Sequence, residues 1–104
     1  MSELDQLQAR FKVWGLDNFG PLPDEFHITK LTEEVGEAAH AVVRLYHQAQ
    51  GKKVNKNSEV NLRDALGDIM IILMNLANNH DWSLEEVFRE TADEVLARDY
   101  TRKA

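Results

Sequence analysis

Two groups of acidic residues are the side chains best placed to do chemistry. Glu33, Glu34 and Glu37 fall at helical spacing, which puts them on adjoining positions of one helix face. Asp64 and Asp68 follow, four residues and so about one turn apart. An oxygen-only set of this kind suits a hard divalent cation such as Mg²⁺. On residue types alone, two readings stand. The glutamates are either solvated helix residues, paired with Lys30 or Arg44, or half of a metal site between two helices. Asp64 and Asp68 weigh toward the second, because carboxylates in an otherwise apolar stretch repel each other, lose hydration and need neutralising.

The elements that must position these residues all read as helices. The two prolines, Pro21 and Pro23, sit in one segment, and the chain on either side carries helical periodicity. A first helix is expected from about Ser2 to Trp14, with Leu4, Leu7, Phe11 and Trp14 on one face, followed by a loop through Asn18, Phe19 and Gly20. Asp24 reads as the N-cap of a long second helix ending near Gly51. Its apolar stripe is Leu31, Val35, Ala38, Val42, Leu45 and Tyr46. Gly51 to Ser58 is a polar, basic loop, and a third helix runs from about Ser58 to Asn79. Ser83 with Glu86 forms a capping box for a fourth helix, with Trp82 on Val87 as its staple, reaching about Asp99. The fold class is all-α, one domain over residues 1–104.

The third helix is apolar around most of its circumference. Asp64, Asp68, Ile71, Asn75 and Asn78 form its one narrow strip with polar character. Such a helix needs cover on nearly all sides, and three companions from so short a chain hardly supply it. The expectation is a four-helix bundle completed by oligomerisation, as a homodimer or dimer of dimers.

Composition narrows the function. A net charge of -6 disfavours binding to a nucleic-acid polymer but not to a nucleotide whose charge a cation offsets. Cysteine is absent, which excludes disulfides and thiol catalysis. The N-terminal residues lack signal-peptide character, and the longest apolar run, Ile69 to Met74, is too short to span a membrane. A cytoplasmic location is the expectation. No Gly-rich phosphate loop occurs, and His27, His40, His47 and His80 lack a zinc-protease arrangement.

Glu33-Glu34-Val35-Gly36-Glu37, followed by Asp64-Ala65-Leu66-Gly67-Asp68, resembles the EExxE and ExxD motifs of the MazG-like nucleotide pyrophosphohydrolases, in the all-α NTP pyrophosphatase superfamily. The resemblance extends to the Trp14–Phe19 segment and to the tail from Ser83 to Tyr100. It implies hydrolysis of a nucleoside triphosphate to a monophosphate and pyrophosphate, with Mg²⁺ (or Mn²⁺) as cofactor. It implies that Glu34 and Glu37, with the acidic pair of the second motif, hold the metal and that Glu33 activates water. Where ExxD has glutamate, this chain has Ala65, and Asp64 is the nearest substitute.

Beside these stand candidate substrate contacts: Trp14 for stacking on a base, Asn75 for hydrogen bonding to base or sugar, and Lys52, Lys53, Lys56, Arg98, Arg102 and Lys103 for phosphate. Each has a plainer role available, as a core aromatic, a satisfied core amide, a solvated loop or a helix end. Three functions fit: nucleotide-pool cleansing, a phosphoribosyl-ATP pyrophosphatase activity, or a non-catalytic helical module, which Ala65 favours.

Overall fold

In a computed structural model, which describes residues 1–53 and 57–101, the chain forms four helices and, among those residues, no strand. They are α1 (Glu3–Phe19), α2 (Asp24–Ala49), α3 (Ser58–Asn79) and α4 (Leu84–Leu96). Three begin on a side-chain cap. The Ser2 hydroxyl accepts from the Asp5 amide, the Asn57 amide oxygen from Val60 and the Ser83 hydroxyl from Glu86, each satisfying a donor that the first turn leaves open. α2 instead starts after Pro23, which contributes no side-chain cap.

Several local expectations need correction. α1 continues through Asn18 and Phe19, because nothing breaks it before Gly20, whose φ of 70° ends the helix. Asp24 is the first helical residue rather than the cap. Its carboxylate is used elsewhere, accepting from Asn79 Nδ2 at 3.0 Å and meeting His80 Nε2 at 2.7 Å. Trp82 has a partner the sequence did not indicate, stacking on His80 with ring centroids 4.5 Å apart. α4 stops at Leu96, short of Asp99.

α3 is the spine. α2 and α1 pack on it, and α4 touches α1 and α3. The Asp24 clasp to Asn79 and His80 at one end, and a 3.3 Å bond from Arg44 Nε to Ser58 Oγ at the other, set α2 and α3 antiparallel. Buried Ala41, Ala65, Met74 and Ala77 form the core. Alanines there let the helices approach closely, since interaxial distance follows side-chain size.

α1 and α4 are joined by polar groups. Gln8, only 6% exposed, donates from Nε2 to Asn78 Oδ1 at 2.9 Å and to the Trp82 carbonyl at 2.7 Å. Its Oε1 accepts from the Leu84 amide at 2.9 Å, and its carbonyl accepts from Asn78 Nδ2 at 3.1 Å. Ser83 Oγ donates to Asp5 Oδ1 at 2.7 Å, and Ser2 Oγ donates to Glu85. The sequence pattern had placed only apolar residues on this face of α1.

One chain does not close into a bundle. Among the described residues, α2 packs on neither α1 nor α4. The radius of gyration is 17.5 Å, where a compact chain of this length has about 13 Å. The apolar stripe of α2 is only partly covered: Val35, Val42 and Tyr46 are exposed, as are Leu66 and Met70 on α3. Asp64 and Asp68 are exposed as well, rather than enclosed in a buried helix.

Replacing Gln8 by Ala leaves the Leu84 amide, the Trp82 carbonyl and Asn78 Oδ1 without this partner, while the bond from Asn78 Nδ2 to the backbone carbonyl of residue 8 remains. Chemical denaturation should show a loss of about 1–3 kcal/mol. An unchanged midpoint would mean that the network adds nothing to stability.

Candidate functional site

The antiparallel register decides what faces what. With Asp24 level with Asn79 and His80, and Arg44 with Ser58, Glu34 comes level with Asp68 and Glu37 with Ala65. Ala65 is 2% exposed, so it lies in the packed interface. Asp64, about 100° round the helix from it, is exposed. The carboxylate that the ExxD motif would carry is therefore missing at the position that faces the partner helix.

Glu34 is the most constrained of the acidic residues. Glu33 and Glu37 are exposed, whereas Glu34 is half-buried. Its Oε2 is the one buried side-chain oxygen or nitrogen among the described residues with no hydrogen-bond partner. Burial pushes its pKa up, and the charges of Glu37 and Asp68 push it further, with Lys30 opposing and Glu33 adding a little. Asp64 is not among the charges that act on it most strongly. Lys30 Nζ meets Glu33 Oε2 at 2.8 Å, and that bond, with the surrounding carboxylates, holds the ammonium pKa above its ordinary value.

Among the described residues these carboxylates do not converge as a group of three or more on one point. The donor chemistry nevertheless fits a hard cation. A desolvated carboxylate oxygen without a partner, beside two further carboxylates, is an excess of negative charge that a divalent ion relieves.

Next to the carboxylates lies a cavity of about 220 Å³, filling the gap between α1 and α2 above α3. Phe11, Trp14 and Phe19 supply aromatic walls; Lys30, Ile72 and Asn75 continue toward the acidic residues. Trp14 is half-exposed and packs edge-on against Phe11 and Phe19, at 6.1 and 5.6 Å between centroids. So Trp14 and Asn75 meet in one cavity, one turn of α2 from Glu33 through Lys30. Lys52 and Arg98 do not line it; Arg98 pairs with Glu94 at 3.4 Å. Lys53 is not in the lining either, and Lys56, Arg102 and Lys103 lie outside the described residues. Sequence reasoning missed Lys30 and His27 as lining residues. Both stand on the same stretch of α2 as the glutamates, but only the α2–α3 register shows that this stretch borders a cavity.

The arrangement is thus all-α, with two acidic helices beside an aromatic cavity. The chain belongs to the MazG nucleotide pyrophosphohydrolase family, whose domain matches residues 24–102. It is similar to the uncharacterized protein YpjD of Bacillus subtilis (strain 168), 34% identical over 107 residues that span 98% of this chain and 87% of that one. No solved structure matches the chain. The family match begins at α2 and leaves out α1, which carries Trp14. No helix among the described residues is long and apolar enough to cross a membrane.

The raised Glu34 pKa has a stability consequence. The folded state holds this proton more tightly than the unfolded chain, so no penalty exists well below the ordinary value of 4.5. The penalty grows as pH rises from there through the raised value. In EDTA, Glu34→Gln should therefore melt higher than wild type at pH 7 and gain nothing at acid pH. Added Mg²⁺ should raise the wild-type melting temperature and leave the variant unmoved. A variant that melts lower at pH 7 would show that the carboxylate is favourably partnered.

Proposed function

We propose that the chain hydrolyses a nucleoside triphosphate to the monophosphate and pyrophosphate, as a nucleotide-pool enzyme, at the carboxylates that α2 and α3 bring level. The observation that carries this reading is the unpartnered, desolvated Glu34 oxygen between Glu37 and Asp68, next to an aromatic cavity on the same helices. Glu34, Glu37 and Asp68 would hold Mg²⁺ or Mn²⁺, with Asp64 supporting these ligands from the exposed side. A bound divalent ion supplies charge neutralisation of the triphosphate and lowers the pKa of a bound water.

The chain's own groups do the rest. Glu33, exposed at the mouth of the site and held by Lys30, accepts the proton of the attacking water. Trp14 offers an apolar face to a base, and Asn75 an amide to its edge or to the sugar. Lys52 and Arg98 lie off the cavity, so a role for either on phosphate runs through a second copy of the chain. The buried Ala65 at the missing ligand position favours one second reading, a module that binds nucleotide and turns it over poorly.

Pyrophosphate release should be measured on a panel of ribo- and deoxyribonucleoside triphosphates and phosphoribosyl-ATP, with Mg²⁺, Mn²⁺ or EDTA. EDTA should abolish turnover. Glu34→Gln, Glu37→Gln and Asp68→Asn should each lower it by roughly a hundredfold or more, the scale of a lost metal ligand, with helical circular dichroism unchanged. Asp64→Asn should cost about ten- to a hundredfold, the range of a residue that supports the ligands. Near wild-type rates in all of the first three would refute the site. Metal-dependent nucleotide binding without pyrophosphate release would favour the binding module.

A second copy is also part of the proposal. Exposed apolar side chains on α2 and α3 and the open shape of one chain call for cover. Light scattering at micromolar concentration should give at least twice the 11.9 kDa of one chain. A well-folded monomer there would sink it.

A further inference from the structure

We propose that His27 selects the ligand's ring, reading the edge of a nucleobase together with Asn75, and so sets which base the cavity accepts. The inference rests on the nucleotide reading above, but its test below does not depend on hydrolysis.

His27 is only 8% exposed and lines the cavity from α2. Its imidazole makes no hydrogen bond among the described residues; its ring meets the edge of Phe26, 5.8 Å between centroids and 82° apart. A buried polar group without a partner is uncommon and calls for a reason. Here the reason is positional. Glu34 Oε2 is the one side-chain oxygen or nitrogen among the described residues that is both unpartnered and sealed. The unbonded ring nitrogens of His27 are therefore not sealed, and the residue lines the cavity.

Its surroundings narrow the ligand. The register that sets Glu34 level with Asp68 sets His27 level with Asn75. Asn75 also lines the cavity, and its side chain makes no hydrogen bond among the described residues. The other two amides in the lining are occupied. Asn78 exchanges hydrogen bonds with Gln8, and Asn79 donates to the Leu22 carbonyl and to Asp24. Asp24, the carboxylate one turn before His27, is engaged by Asn79 and His80, and Lys30 one turn after is engaged by Glu33.

What remains open is one imidazole and one primary amide, each with a donor and an acceptor, between aromatic walls. A flat heteroaromatic ring with donors and acceptors at its edge satisfies all of them at once. A plain apolar ring would leave both polar groups unpaired, and a sugar would leave the walls unused.

The experiment uses nucleosides, without phosphate and without metal. The His27 ring signals of the whole protein are followed by NMR during titration with adenosine, guanosine, cytidine, uridine and thymidine. One nucleoside should shift them at a lower concentration than the others. His27→Phe, which keeps the ring and removes its nitrogens, should keep its helical spectrum and lose roughly ten- to a hundredfold of that preference, the worth of one polar partner. No shift with any nucleoside would overturn the proposal, as would wild-type preference in the variant. Should the variant fail to fold, the wild-type titration still decides. Nucleoside preference without triphosphate turnover would refute only the hydrolase reading. Turnover with unmoved His27 signals would refute this inference alone.

Discussion

The pairing of α2 with α3 is the constraint on which the rest of the structure depends. Alanines at the contact bring the two backbones close, and a polar clasp at each end stops them sliding. A slip of one turn would move Asp68 away from Glu34 and Asn75 away from His27. The Asp24 clasp is therefore more than a helix end. Asn79 and His80 hold its carboxyl below the usual aspartate range, and in doing so they fix the level of every acidic side chain along the pair.

The second half of the site depends on a different kind of contact. α1 is held to α3 and α4 by Gln8 and by serine–carboxylate bonds at the two helix starts, leaving its aromatic end free to wall the cavity. Hydrogen bonds are directional where apolar packing is not, so this polar joint sets an angle as well as a contact. That angle keeps α1 off α2, and the gap between them is the cavity. Carboxylates and cavity thus share α2 and α3, while the aromatic wall comes from a helix outside the family match.

Electrostatics and openness point the same way. A single chain leaves a carboxylate oxygen buried without a partner and leaves apolar side chains in water. Both are costs that a folded protein sustains when something else relieves them. In the proposed reading a cation relieves the first and a second copy of the chain the second.

The sequence by itself determined the helices, the Ser83 cap and the family. Periodicity, capping residues and motif spacing act over a few residues, so a linear reading captures them. It also put the three glutamates on adjoining positions of one helix face, since neighbours on one helix are fixed by the helix itself. It erred where a long-range partner overrode a local preference, as when Asp24, read as a cap, entered the helix and bound Asn79 and His80. Tertiary structure alone decided that Ala65 is buried at the level of Glu37, that Gln8 is a buried joint and that His27 lines a cavity. Each depends on the level of one helix against another. That level is set by contacts between residues far apart in the chain, which no local spacing encodes.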